Sequence, residues 1–70
     1  MKRHTVPSTT FSSLDYDPGR EVLEAEFLHG GVYRYYQVPQ GLWLDFLSAE
    51  SKGGFFSQHI RGKYRYRKMR

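Results

Sequence analysis

The stretch EVLEAEFLHGGVYRYYQVP, residues 21–39, decides the fold. Its first half alternates, with Leu23, Ala25 and Phe27 on one side and Glu24 and Glu26 on the other, which is the period of a half-buried strand. The glycines after His29 reverse the chain, and VYRYYQV returns as the second arm of a hairpin. Register then decides which way the tyrosines point. A three-residue loop, His29–Gly31, sets Phe27 opposite Tyr33, Ala25 opposite Tyr35 and Glu26 opposite Arg34. A two-residue loop, Gly30–Gly31, sets Phe27 opposite Arg34 and Glu26 opposite Tyr35. The first register joins apolar to apolar and acid to base, each cross-strand pair contributing about 0.2–1 kcal/mol. It predicts Tyr33 and Tyr35 on the core side and Tyr36 on the outer face, beside Val32 and Val38, where its ring is open to stacking.

Working outward, FSSLDY (residues 11–16) reads as a preceding strand that ends at DPGR. Pro18 supplies the fixed φ of a second turn position and Gly19 the positive φ of a third, so a type II turn is expected there. In the other direction Pro39 and Gly41 end the hairpin, and LWLDFLSAE (42–50) places Leu42, Trp43, Phe46, Leu47 and Ala49 on one helical stripe, opposite Asp45 and Ser48. Trp43 is a core anchor on this pattern. The SKGG stretch (51–54) reads as a stop, after which FFSQHIR (55–61) forms a shorter helix burying Phe56 and Ile60. The last eight residues, KYRYRKMR (63–70), form either an edge strand or an arm that orders on contact. The expected fold class is α+β: a three-stranded antiparallel meander with room for a fourth, C-terminal strand, and two short helices packed on one face. Residues 1–70 make one domain, with 1–8 a flexible lead-in and 63–70 the basic strand or arm.

Seventy residues bury little surface relative to the conformational entropy they lose. With no cysteine, neither a disulfide nor a thiolate metal site is available, so packing of the aromatic residues, 17% of the chain, must stabilise it. No apolar run approaches the roughly 20 residues of a membrane span, and MKRHTVPSTT lacks the apolar stretch of a secretory signal. No membrane partner and a reducing, cytoplasmic setting are expected. Charge is segregated along the chain: residues 15–50 hold all seven acids against Arg20 and Arg34, whereas residues 51–70 hold Lys52, Arg61, Lys63, Arg65, Arg67, Lys68 and Arg70 and no acid. A block of this kind either meets a polyanion through charge and counterion release or is a solvated tail.

No active site assembles from these residues. His4, His29 and His59 lack metal-ligand spacing, and no nucleophile-elbow or phosphate-loop pattern is present. A non-catalytic protein without metal or cofactor is therefore expected; the weakest reading is an enzyme built on His59 and the Ser51 loop. The most suggestive local feature is Ser51, Lys52 and Gly53, where a hydroxyl, an ammonium and backbone N–H groups precede a helix, an arrangement suited to phosphate. The simpler reading is that Gly53 and Gly54 only turn the chain. In the tail, Tyr64 and Tyr66 alternate with Lys63, Arg65, Arg67 and Lys68, close to Arg61. Single-strand nucleic-acid binders combine rings and cations in this way, although alternation serves a half-buried strand equally well.

Several blocks together are similar to one family. The run F-x-x-G-x-x-Y-x-Y-x-x-V-P at Phe27–Pro39, A-x-S-K-G at Ala49–Gly53, F-x-x-H-I at Phe56–Ile60, and Tyr64, resemble the KTSC domain; Val6, Ser8, Tyr16 and Asp17 fit its opening. The resemblance spans nearly the whole chain. KTSC domains stand alone in small bacterial proteins or at the C-terminal end of some lysyl-tRNA synthetases, which implies a role with RNA, tRNA included. Tyr33 and Tyr35 then match the family's central Y-x-Y, and Ser51, Lys52 and Gly53 its S-K-G. Gly31 beside Gly30 and the arginine-rich tail depart from the pattern. The expected function is a non-catalytic RNA-binding module using Ser51, Lys52, Gly53, Arg61, Lys63, Tyr64, Arg65, Tyr66, Arg67 and Lys68. The rival is a protein-interaction module that docks an acidic partner.

Overall fold

The computed structural model describes the backbone of residues 2–5 and residues 8–70 in full. Five strands form one antiparallel sheet in chain order: β1 (Lys2–Thr5), β2 (Phe11–Asp17), β3 (Val22–Phe27), β4 (Val32–Tyr35) and β5 (Tyr66–Lys68). Helices α1 (Gln40–Ser48) and α2 (Lys52–His59) lie between β4 and β5 in sequence. This is the expected α+β class, with the meander extended at both edges. The C-terminal segment is a strand, β5, paired to β4 with Tyr66 opposite Tyr35 and Lys68 opposite Tyr33. The flexible lead-in expected over 1–8 does not describe Lys2–Thr5, which pair with Tyr16 to Ser13 of β2. A ladder needs no apolar alternation, so KRHT carries no sequence signal for it. Met1, Val6 and Pro7 lie outside the described residues.

Burial follows the alternation in β3: Leu23 and Ala25 are fully buried, while Glu24 and Glu26 turn to the outer face. Leu14 and Tyr16 of β2 point the same way as Leu23 and meet the helices. Six of the eleven buried residues of the core cluster are aromatic, so ring contacts carry much of the packing. Phe11 stands edge-on to Phe46 (5.6 Å between centroids) and Phe56 (5.4 Å), and Trp43 stacks on Tyr16 at 5.2 Å. Buried Phe, Leu and Ile side chains each contribute about 1.5–3 kcal/mol, and Phe11, Leu14, Leu23, Phe46 and Ile60 have no exposure. In β2 the register shifts between Phe11 and Ser13, a bulge that lets Phe11 reach the helix side although Leu14 is three residues away.

Three local expectations are corrected. The turn after β2 is not type II: Gly19 keeps a negative φ, and Glu21 takes the left-handed conformation instead (φ 55°). Asp17 dictates this, its Oδ1 accepting from the N–H groups of Gly19 (3.0 Å) and Arg20 (3.3 Å) and winding the loop around its own side chain. The β3–β4 hairpin turns at Leu28–Gly30 rather than His29–Gly31, so Ala25 faces Tyr33, Leu23 faces Tyr35 and Glu24 faces Arg34. Gly30 and Gly31 both adopt positive φ, +95° and +91°, which places the reversal. The shift moves every pair by two residues and leaves the faces unchanged, so Tyr33 and Tyr35 do lie on the helix side. Val38 does not join Tyr36 on the outer face: Gln37 at φ 60° breaks the alternation, and Val38 enters the core, its carbonyl accepting from the Tyr16 hydroxyl.

The break between the helices falls at 49–51, two to three residues earlier than the expected 51–54. Ala49 and Ser51 are extended, and α2 begins at Lys52, so Gly53 and Gly54 lie within its first turn. Ser51 is the reason: its Oγ accepts from Gly54 N at 3.1 Å, a helix N-cap. Gly53 is required by packing, because a Cβ there would lie 2.6 Å from Thr10 Oγ1.

Candidate nucleic-acid interface

Beyond α2 the chain makes one more reversal. Ile60 and Arg61 donate their N–H groups to Phe56 O at the end of α2, and the next turn, closed by Lys63 N donating to Ile60 O at 3.0 Å, has Gly62 at φ +74° in its third position, a conformation glycine adopts readily. This brings the chain back along β4, where Val32 N donates to Arg70 O and Tyr36 N to Arg65 O, so the basic tail is tied down at both ends. Arg65, Tyr66, Arg67 and Lys68 are all exposed, and because a strand alternates, they divide between two faces.

Tyr66 faces the helix side, where its ring lies 5.7 Å from Tyr35 and 5.9 Å from Tyr33. Although 59% exposed, it is supported from behind by both rings. In front of it runs an open groove of about 860 Å³ between α2 and the β4–β5 edge. Phe27, Tyr33, Tyr35 and Phe56 form its floor, Arg61 and His29 stand at its rim, and Ser51, Gly53 and Gly54 close its far wall. No carboxylate lines it.

Arg65 and Arg67 take the other face, where with Tyr36, Gln37 and an edge of Tyr66 they outline a second, shallower hollow, so Tyr66 borders both spaces. Charge is mixed there. Arg34, opposite Arg67, donates from Nε to Glu24 Oε1 at 2.8 Å, and this hydrogen bond is the main cause that raises the Arg34 pKa. Ser13 Oγ donates to Glu26 Oε1 on the same face.

The structure therefore divides the ten residues singled out from sequence. Ser51, Gly53, Arg61 and Tyr66 meet at the groove; Arg65 and Arg67 belong to the outer hollow. Lys52 turns away, its Nζ donating to Ala49 O at 2.6 Å and closing the end of α1. Tyr64 packs half-buried against the core, which leaves Tyr66 as the exposed ring of the tail. Lys63 and Lys68 are exposed. Ser51 and His59 sit at opposite ends of α2, about 12 Å apart along its axis, and His59 packs on the Phe55 ring at 4.4 Å; they do not meet as nucleophile and base. Sequence reasoning missed the groove's other walls, Thr10, His29 and Ser57. Among the described residues no three His, Asp or Glu side chains group to hold a metal, and no helix is long and apolar enough to cross a membrane.

Burial also marks the groove floor. It pushes the Tyr35 hydroxyl from the ordinary 10.0 up to about 12; ionised Tyr33 and Tyr66 act in the same direction, and the Arg61 guanidinium opposes them.

A small antiparallel sheet with a helix pair on one face and a basic terminal strand defines the class. The model of the KTSC domain matches residues 7–64, and the chain belongs to that family. It is 42% identical over 67 residues to an uncharacterised protein of Stutzerimonas stutzeri, covering 94% of both chains. It is 33% identical over 54 residues to the lysine–tRNA ligase of a Nostoc species, covering 77% of this chain and 10% of that enzyme. Among solved structures, the crystal structure of a KTSC domain protein from Yersinia pestis aligns with a TM-score of 0.95 at 40% identity, covering 99% of this chain and 97% of that one.

Proposed function

We propose that this KTSC domain is a non-catalytic RNA-binding module, with tRNA among its ligands, that engages RNA through β5 and the groove beside it. The observation that carries the reading is the order of the tail. Tyr66, Arg67 and Lys68 stand exposed on a paired strand, and Arg65 beside it is tied by its carbonyl to Tyr36 N, so the backbone that carries these cations and the ring is ordered before any ligand arrives, which lowers the ordering cost of binding. The lysine–tRNA ligases that contain a similar segment act on a tRNA by name, and that supports RNA as the polyanion. Phosphate contacts dominate the affinity, so binding weakens steeply with salt and discriminates little between sequences.

The test is Arg65→Glu combined with Arg67→Glu. RNA affinity is expected to fall more than tenfold, about 1.4 kcal/mol, while folding stability stays within about 0.5 kcal/mol because both side chains are in solvent. Unchanged affinity sinks the reading. The position of β5 at the sheet's edge favours a second one, in which an acidic extended segment adds to that edge. Recovery of a stoichiometric protein partner that survives nuclease treatment would select it.

A further inference from the structure

We infer that the groove between α2 and the β4–β5 edge seats one unstacked nucleotide of single-stranded RNA, its base on the Tyr66 ring and its phosphate at Arg61. This rests on the RNA reading above and narrows it to a particular ligand form and a particular face.

The first argument is the stacking platform. Exposed tyrosines ordinarily sample several rotamers, and fixing them opposes binding. Tyr66 has Tyr33 and Tyr35 behind it at 5.9 and 5.7 Å, so its outer face is held ready while 59% of the residue remains open. A flat, supported, solvent-facing ring matches any nucleobase, and stacking tolerates all four.

Charge is the second argument. The chain holds seven acids, and none lines the groove, whose one fully charged side chain is Arg61. Arg61 is exposed and forms no ion pair among the described residues. The outer face of the sheet differs, since Glu24 and Glu26 lie there among the arginines. Arg61 lines the groove and exposed Lys68 lies on the same side of β5 as Tyr66, so one platform with at most two cations fits a short single-stranded unit better than a long run of backbone.

Hydrogen-bonding capacity is the third. The hydroxyls of Tyr33 and Tyr35 make no hydrogen bond among the described residues, although Tyr35 is only 6% exposed and its hydroxyl feels the charge of Arg61. They offer donors and acceptors to the edge of a base laid against the floor. The N-terminus of α2 is not the phosphate seat, because Ser51 Oγ already caps Gly54 N there. A volume of about 860 Å³ lies within the usual 300–1,000 Å³ of a small-molecule site. A paired, stacked base cannot reach such a platform, so the groove selects single strands and loops over continuous duplex.

The experiment titrates the full chain, followed by amide shifts, with a single-stranded oligouridylate and with a blunt RNA duplex of equal charge. The proteins compared are the unaltered chain, Tyr66→Ala, Tyr66→Phe and Arg61→Gln. Expected shifts with the single strand concentrate at Gly53, Gly54, Ser57 and Gly62. Tyr66→Ala weakens single-strand binding by about tenfold, Tyr66→Phe retains most of it, and Arg61→Gln lowers the salt slope by about 0.7. Should Tyr66→Ala disturb folding, the shift map of the unaltered chain and the Arg61→Gln slope decide. Tight single-strand binding with shifts confined to Tyr36, Arg65 and Arg67, or duplex binding of equal strength, overturns the groove assignment and leaves the RNA reading standing. Absence of binding to either RNA overturns both.

Discussion

Residues 51–54 and 65–68 look alike as sequence, since each brings cations and polar groups to a place where an anion fits. In the fold they diverge. At Ser51–Gly54 every suggestive group is engaged internally: Ser51 Oγ with Gly54 N, Lys52 Nζ with Ala49 O, and the bare Cα of Gly53 against Thr10. At 65–68 the backbone is paired and the Tyr66 ring leans on Tyr33 and Tyr35, while Arg65, Arg67 and Lys68 and the greater part of Tyr66 face solvent. The difference teaches that a residue type offers chemistry to a ligand only where the fold has left its polar atoms without another task. The first region is mainly part of the folding problem, and the second is the interface.

The largest effect that tests this contrast is expected at Gly53. Gly53→Ala drives a Cβ to within 2.6 Å of Thr10 Oγ1 and costs about 1–3 kcal/mol, read as a lower urea midpoint. Adding Thr10→Ala should restore much of the loss, and a double mutant no better than the single one breaks the packing explanation.

Next comes an alkaline limb set by the groove floor. Tyr35 has a raised pKa in the folded chain, from 10.0 to about 12, chiefly through burial. Its contribution to stability is complete below pH 10, where both states are protonated. As pH rises toward 12 the unfolded state loses its proton first, so the contribution is lost. Thermal melts from pH 9 to 12 should fall less steeply for Tyr35→Phe than for the unaltered chain, and parallel limbs contradict the assignment.

Ser51→Ala removes the cap of α2 and is expected to cost about 1 kcal/mol, lowering the melting temperature by roughly 4–8 °C at this chain length. RNA affinity should change less than threefold. A large loss of affinity with intact stability would return Ser51 to the interface. The smallest effect is expected from Lys52→Met, which keeps the stem and deletes one hydrogen bond, about 0.5–1.5 kcal/mol. The salt slope of RNA binding should not move; a drop of about 0.7 would mean that Lys52 contacts a phosphate.

Much of the fold was legible because the signals were local. Leu23, Ala25 and Phe27 alternate with glutamates, and Trp43 with Phe46 marks the buried side of α1. The hairpin register was not, for a definite reason: Glu24 and Glu26 are interchangeable partners for Arg34, so a slip of two residues preserves both charge match and face. Only the positive φ of Gly30 and Gly31 separates the two arrangements. As sequence, the glycines at 53 and 54 look like a stop because the cap that makes them a start, Gly54 N donating to Ser51 Oγ, has the same composition as a loop. As for the site, the cations and rings of the tail were visible in sequence, but strand and arm were equally compatible with its alternation, and the pairing with β4 decides for a strand. The groove was not, because its walls come from Thr10, Phe27, Gly53, Arg61 and Tyr66, which only the closed sheet and α2 bring together.

The most direct test of the central claim is an amide-shift titration of the intact chain with mixed tRNA at physiological salt. Saturable shifts are expected on Arg61–Lys68 and along the groove wall at Gly53, Gly54 and Ser57, fading as salt rises. No shifts, or uniform broadening without a preferred face, would contradict it and leave the basic strand as a solubilising edge.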